Sequence, residues 1–211
     1  MKKRELFTGL GLLGAFILWT AAICLIDLKP IGPQRSIVGF ATINGWFHRL
    51  TGLHLWLYTL TDWLGLVPVA VCVAFALLGL HQWIRRRAIR EVDADILLLG
   101  GVYAVTIAAY LLFESVVVNY RPILIEGRLE ASYPSSTTLL TLCVMSTAWI
   151  QLRRRMRHGV WRRVMLCIVA LFTAFMVVGR LLSGVHWLTD IIGGILLSIA
   201  LVAWYRCFEK K

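Results

Sequence analysis

Charged residues are scarce in this chain: they make up 16% of its 211 residues, whereas hydrophobic residues make up 59%. A soluble domain usually carries about 25% charged residues, so this composition excludes an ordinary soluble protein. Proline is rare as well, with five residues, and no segment is low in complexity, which excludes disordered and collagen-like chains. The remaining class is an all-α polytopic membrane protein, with residues 1–211 as a single integral membrane domain.

Cysteines are also few, and their spacing is not that of metal ligands. The five cysteines lie inside or at the ends of apolar stretches, at positions 24, 72, 143, 167 and 207. We interpret them as free thiols without a function, because apolar surroundings are where structural free cysteine is usually found. The sequence predicts no metal site and no cofactor.

Acidic residues are half as many as basic ones, 11 against 22, which gives a net charge of +11. In a soluble protein this excess would suggest nucleic acid as a partner. Here sixteen of the 22 Lys and Arg residues fall into four clusters between apolar runs, at 2–4, 85–90, 153–163 and 206–211. Such clusters are topology signals, so we expect them on the cytoplasmic side, with both termini, and expect no nucleic acid partner.

Six apolar stretches approach the roughly 20 residues that a helix needs to cross a bilayer. They lie near 6–27, 64–84, 96–118, 136–152, 161–182 and 188–205. The first could be mistaken for a cleaved signal peptide, but it is longer than a usual signal core, so we interpret it as an uncleaved anchor. The short chain with basic loops is compatible with a bacterial inner (plasma) membrane.

Residues 44–63 are rich in Trp, Phe, Leu and Tyr but are interrupted by charged residues and histidines. This pattern predicts an interfacial helix on the outer membrane surface. His48 and His54 are six residues apart and do not share a helix face, so interfacial packing is a better interpretation for them than a metal or catalytic role.

Ionisable residues near spans are the default functional candidates in a membrane protein, and in this chain they gather on the outer side. His186 and Asp190 are four residues apart, so on one helix face the carboxylate can orient the imidazole and sharpen it as a nucleophile or base. Ser183 and Gly184 provide a break that lets Arg180 close the fifth span and His186 open the sixth. The alternative is an interfacial histidine beside a helix-capping aspartate.

Two further outer segments fit an anion. Pro134, Ser135, Ser136 and Thr137 begin the fourth span, where free backbone amides, the helix dipole and hydroxyl donors favour a phosphate. Arg121 ends the third span with a guanidinium suited to phosphate oxygens. Together with Arg180 and the His186–Asp190 pair, these residues predict a phosphate pocket with a covalent nucleophile.

These motifs resemble those of the type 2 phosphatidic acid phosphatase family, integral-membrane lipid phosphatases related to vanadium haloperoxidases. Arg180, five residues, His186, three residues and Asp190 match its third motif. Arg121-Pro122 resembles the end of its first motif (Lys, six residues, Arg-Pro), and Pro134-Ser135 the start of its Pro-Ser-Gly-His motif. The similarity covers roughly residues 55–205 and implies a helical bundle with its site at the outer membrane surface.

The resemblance also implies roles. His186 would attack phosphorus to form a phosphohistidine, Asp190 would orient it, and Arg121 and Arg180 would bind the phosphoryl oxygens. Ser135, Ser136 and Thr137 at the start of the fourth span would complete the phosphate cradle. The family uses no metal for this chemistry.

The chain departs from the family at three positions. Glu114 replaces the first-motif Lys, Ser136-Thr137 replace the Gly-His of the second motif, and Gly179 replaces the Ser before Arg180. The missing His is the family's general acid, and its loss costs on the order of 10² to 10⁴ in rate for a poor leaving group. A diphosphate expels a phosphate monoester without prior protonation, so we predict a preference for lipid diphosphates over monophosphates.

Glu114 lies about two helical turns before Arg121. The sequence leaves three roles open for Glu114. It pairs with Arg121, it acts as a base for water, or it only offsets arginine charge in a pocket that is no longer used for catalysis. The leading hypothesis is therefore a lipid phosphate or diphosphate phosphatase, or a phosphotransferase, acting on polyprenyl or glycerolipid phosphates. The alternative is an inactive family member that binds or transports a phosphorylated lipid.

Overall fold

The computed structural model describes residues 3–208. Its eight α-helices are α1 (Lys3–Leu25), α2 (Ala41–Thr51), α3 (Leu55–Leu64), α4 (Leu66–Arg86), α5 (Ala94–Ser115), α6 (Ser136–Arg155), α7 (Val160–Leu182) and α8 (Leu188–Phe208). Within the described range the only β-type pairing is three isolated bridges in loops. The all-α class is confirmed.

Five segments of the described chain are long and apolar enough to cross a membrane. They are Lys3–Leu25, Leu55–Arg86, Ala94–Ser115, Val160–Leu182 and Leu188–Phe208. Each overlaps a predicted span, so an integral membrane bundle is confirmed. The remaining predicted span, the fourth at 136–152, corresponds to α6, which is less apolar, and the count of six therefore stays a prediction.

The polar side chains of α6 explain its lower hydropathy. Thr138, Thr141, Thr147 and Gln151 are all buried against other helices. Tyr103 of α5 and Thr147 are hydrogen bonded at 2.9 Å. Because α6 packs on α5, α7 and α8, its surface does not need the apolar character of a helix that faces lipid.

The predicted interfacial segment 44–63 is helical, but it is divided into α2 and α3. The break is at Gly52, whose φ of 73° lies in the left-handed region and ends α2. At its other end α3 passes into α4 through Gly65, whose φ of −58° and ψ of −19° are helical. Residues 55–86 therefore form one long apolar element.

The centre of the bundle is α8, the most buried of the five apolar segments. One apolar cluster joins α8 to α1 and α6 through Phe16, Leu139 and Leu197. The Trp19 indole of α1 also donates to the carbonyl of Thr189 at 3.2 Å. These contacts fix the C-terminal half of α1 and the N-terminal halves of α6 and α8 relative to one another.

An ion-pair network closes one end of the bundle, where α4, α5 and α6 meet. Asp93 lies 3.0 Å from the Arg86 guanidinium and 3.2 Å from that of Arg155, which also reaches Asp95 at 2.9 Å. These hydrogen bonds and charges hold the pKa of Asp93 below its usual range. The basic clusters at 85–90 and 153–163 also lie at this end, and the predicted site residues lie at the other.

Candidate active site

The site is assembled by the loop between α5 and α6 and by the turn between α7 and α8. In the loop, the Arg121 amide donates to the Glu130 carbonyl at 3.0 Å and the Ser132 amide to the Asn119 carbonyl at 2.9 Å. The Trp187 indole of the turn donates to the carbonyl of Tyr120 at 2.7 Å. These bonds bring Arg121 and the α7–α8 turn together, although they are far apart in sequence.

His186 lies in the α7–α8 turn with its side chain almost fully buried. Its Nδ1 is 3.2 Å from the carbonyl oxygen of Ser132. Because a carbonyl only accepts, Nδ1 carries the proton and Nε2 carries the lone pair. The Nη1 of Arg121 donates toward Nε2 at 3.3 Å.

The pKa of His186 is held well below its ordinary value of 6.5. Burial is the first cause, followed by the positive charges of Arg121 and Arg180. The imidazole is therefore neutral at neutral pH, and Nε2 is available as a nucleophile.

Asp190 does not hydrogen bond to His186, contrary to the sequence interpretation. Its carboxylate is 3.8 Å from Nδ1, which is too long for a hydrogen bond. It accepts instead from the Trp187 amide at 2.9 Å and from the Asn119 side chain at 3.4 Å. The reason is local: His186 precedes the first residue of α8, so the pair does not share a helix face.

Arg180 is in the last turn of α7, as predicted, and is fully buried. Its Nη1 lies 3.4 Å from the Thr61 hydroxyl and 3.6 Å from the Asp62 carboxylate, and its guanidinium stacks 4.9 Å from the Tyr58 ring centre. No atom of residues 3–208 accepts a hydrogen bond from its Nε. Arg180 is thus held by α3 and acts on His186 through its charge.

The residues at the start of α6 have different positions. Ser135 caps the helix, since its hydroxyl accepts from the Thr138 amide at 3.5 Å, and its own amide donates to the Asp190 carbonyl at 3.1 Å. Ser136 lines the cavity beside His186, whereas Thr137 lines the adjoining one. The predicted helix start at Ser136 is confirmed.

Two adjoining cavities open from this site. The first, of about 200 Å³, is mainly polar and is lined by Arg121, His186, Ser136, Glu114 and Glu130, among others. The second, of about 300 Å³, is mainly apolar and is lined by residues of α3, α5 and α6 and by Gly65. Tyr110, Ser136 and Leu139 line both cavities.

Sequence reasoning missed two members of the site. The first is Glu130, whose carboxylate pairs with the Nε of Arg121 at 3.0 Å. Pairing with Arg121 was one of the roles that the sequence left open for Glu114. A carboxylate facing Arg121 across a turn at Gly127 would have been the signal for Glu130. Ser132 acts through its carbonyl, which every residue has, so no sequence signal exists for it.

His48 supports the site from outside. Its Nε2 lies 3.1 Å from the carbonyl of Gly184, and its ring packs against Trp187. The His54 ring lies farther out: its Nε2 is 2.9 Å from the carbonyl of Thr51, and its backbone amide donates to the Ser183 carbonyl at 2.9 Å. The geometry of both histidines agrees with packing.

Comparison with known proteins identifies the class. The model of the PAP2 superfamily matches residues 69–211, and the chain therefore belongs to this superfamily of membrane phosphatases. A solved structure described as the first transmembrane PAP2 type phosphatidylglycerolphosphate phosphatase from Bacillus subtilis has the same fold, with a TM-score of 0.66. That structure is 16% identical, and the match covers 95% of this chain and 94% of the other. No curated protein matches the chain significantly in sequence.

Proposed function

We propose that this protein is an integral-membrane lipid phosphatase that forms a phosphohistidine on His186. The observation that carries the proposal is the tautomer of His186. With Nδ1 donating to Ser132, the lone pair of Nε2 points to Arg121 in a polar cavity. A buried, neutral imidazole beside a guanidinium is the arrangement that nucleophilic attack on a phosphoryl group needs.

The reaction has two displacements. A phosphoryl group enters the polar cavity, and Arg121 exchanges its contact with Nε2 for the phosphoryl oxygens. Nε2 then attacks phosphorus as the bond from phosphorus to the leaving oxygen breaks. Nδ1 keeps its proton throughout, and that proton stays hydrogen bonded to the Ser132 carbonyl. Water next attacks the phosphohistidine, the N–P bond breaks, and inorganic phosphate leaves.

The lipid part of the substrate fits the second cavity. That cavity is mainly apolar and shares three lining residues with the polar one. A lipid whose phosphate lies beside Arg121 can therefore extend its hydrocarbon chain into the apolar cavity. We propose that the site lies on the outer membrane face, with both termini cytoplasmic, because the basic clusters at 85–90 and 153–163 lie at the opposite end of the bundle. A bacterial plasma membrane remains the proposed location.

The catalytic test compares phosphate release by purified wild-type protein with that of His186→Ala. Loss of the nucleophile is expected to lower release by at least about 10³-fold. His81→Ala is the matched control, because His81 is exposed at the other end of the bundle. Equal release by wild type and His186→Ala would overturn the proposal, and binding without any release would favour the lipid-binding alternative.

The substrate preference tests the missing general acid. Ser136 and Thr137 hydroxyls at the start of α6 cannot protonate an alkoxide near neutral pH, so a poor leaving group is penalised by about 10² to 10⁴. Undecaprenyl diphosphate should therefore turn over faster than undecaprenyl phosphate or phosphatidic acid. Equal or faster turnover of phosphatidic acid would contradict the leaving-group argument.

A further inference from the structure

The polar cavity holds more negative than positive charge. Its charged lining consists of one guanidinium, that of Arg121, and two carboxylates, those of Glu114 and Glu130. His186 adds no charge at neutral pH, because its pKa is lowered. The cavity wall thus carries a net negative charge beside the group proposed to bind a phosphate.

The nearby ion pairs do not reverse this balance. Glu130 already neutralises Arg121 at 3.0 Å, and Arg180 lies 3.6 Å from the carboxylate of Asp62. Glu114 is exposed to the cavity and forms no ion pair with any side chain of residues 3–208. One carboxylate in the cavity is therefore uncompensated.

This balance disfavours a substrate that brings only negative charge. A phosphate at Arg121 would share a cavity of about 200 Å³ with the carboxylates of Glu114 and Glu130. Negative charges inside so small a cavity repel each other. A positive group that enters with the phosphate would remove the repulsion and pair with Glu114. Carboxylates readily accept charge-assisted hydrogen bonds from an ammonium group.

We infer that the lipid phosphate recognised by this site carries a positive charge next to its phosphate, and that Glu114 binds that charge. This inference rests on the proposed function, since it assigns the phosphate to Arg121 and His186. The charge has two possible sources: an ammonium group on the lipid itself, or a divalent cation bound to the phosphate. Both present the same chemistry to Glu114.

The test is a binding measurement with two lipids that differ at one nitrogen, which is charged in the first and uncharged in the second. Sphingosine 1-phosphate carries a free ammonium near its phosphate, and in its N-acetyl derivative that nitrogen is uncharged. Calorimetric titration of the detergent-purified protein in EDTA should show the free amine binding about three to five times more tightly, the effect of one partly exposed ion pair. Glu114→Gln should bring the two affinities together.

Glu126→Gln is the matched control, because Glu126 is an exposed glutamate of the α5–α6 loop that does not line the cavity. It should keep the wild-type preference. A repeat with Mg²⁺ in place of EDTA distinguishes the sources. If Mg²⁺ tightens binding of the N-acetyl lipid, and Glu114→Gln abolishes that gain, the charge is a divalent cation.

Equal affinities in EDTA and in Mg²⁺ would overturn the inference, as would a preference that survives in Glu114→Gln. Neither result depends on turnover. Phosphate release that requires His186, together with equal binding of both lipids, would leave the proposed function standing without the inference. A preference for the free amine without any phosphate release would support the inference about Glu114 and would overturn the proposed phosphatase activity.

Discussion

At the residue scale, one backbone carbonyl sets the tautomer of His186. The Ser132 carbonyl holds the Nδ1 proton, a role that aspartate was expected to fill. Asp190 instead organises the turn through the Trp187 amide and the Asn119 side chain. The types of the site residues were readable from the sequence, but this division of labour depends on backbone positions that no residue type encodes.

The lowered pKa of His186 predicts an unusual pH dependence. In the proposed mechanism the imidazole attacks only when it is neutral, so kcat/KM should fall only as the pH drops through the folded-state pKa of His186, well below 6.5. Activity at about pH 6 should thus equal that at about pH 7. The measurement is the pH profile of kcat/KM with a lipid diphosphate.

An NMR titration of the ring nitrogens separates the ionisation of the protein from that of the substrate. The spectrum of His186→Ala identifies the resonance of His186. A midpoint at or above 6.5 for that resonance would contradict the burial and charge argument.

At the element scale, the α7–α8 turn is the segment on which the site depends most closely. Gly184 has a φ of 75°, and a Cβ there would lie 2.3 Å from the carbonyl oxygen of Gly52. Gly127 has a similar φ of 76°, but a Cβ there would meet no atom within 4 Å. The two glycines therefore share backbone strain and differ in steric overlap.

Gly184→Ala should destabilise the protein by roughly 2–4 kcal/mol, from left-handed strain plus overlap with the backbone. Gly127→Ala should cost only about 1 kcal/mol, because it carries the strain alone. Thermal unfolding in detergent measures the difference. Phosphate release should fall in Gly184→Ala, which displaces His186, and equal effects of the two substitutions would refute the close approach to Gly52.

Helices were readable from the sequence to within a few residues because their apolar runs have the length of a span. The start of α6 at Ser136 and the end of α7 at Leu182 agree with the predicted bounds. The division of residues 44–63 was missed, because the turn at Gly52 forms against the α7–α8 turn: His54 donates its amide to the Ser183 carbonyl at 2.9 Å. A contact this distant in sequence leaves no local pattern.

At the scale of the whole molecule, the basic clusters predict the orientation in the membrane. Arg87 follows α4 at one end of the bundle, and Arg128 lies in the loop that carries the site. In a cysteine-free background, Arg128→Cys should react with a membrane-impermeant maleimide added to intact cells, whereas Arg87→Cys should react only after lysis. The opposite labelling pattern would place the site on the cytoplasmic side.

The family was predictable from three short motifs, because their order and spacing bring the same chemistry to one face of any bundle with this topology. The net charge of the polar cavity was not predictable from the sequence. Glu130 reaches Arg121 only because the loop folds back on itself, and the cavity that contains Glu114 exists only in the folded chain.

The burial of α6 has a consequence for biosynthesis. A helix with several hydroxyl side chains and a terminal arginine cluster partitions weakly into lipid on its own. In a six-span topology, α6 must therefore enter the bilayer together with the more apolar α7 and α8, which follow it in the chain and pack against it. The N-terminal end of α6, which lines the polar cavity, would then reach its final place only after α8 has been translated.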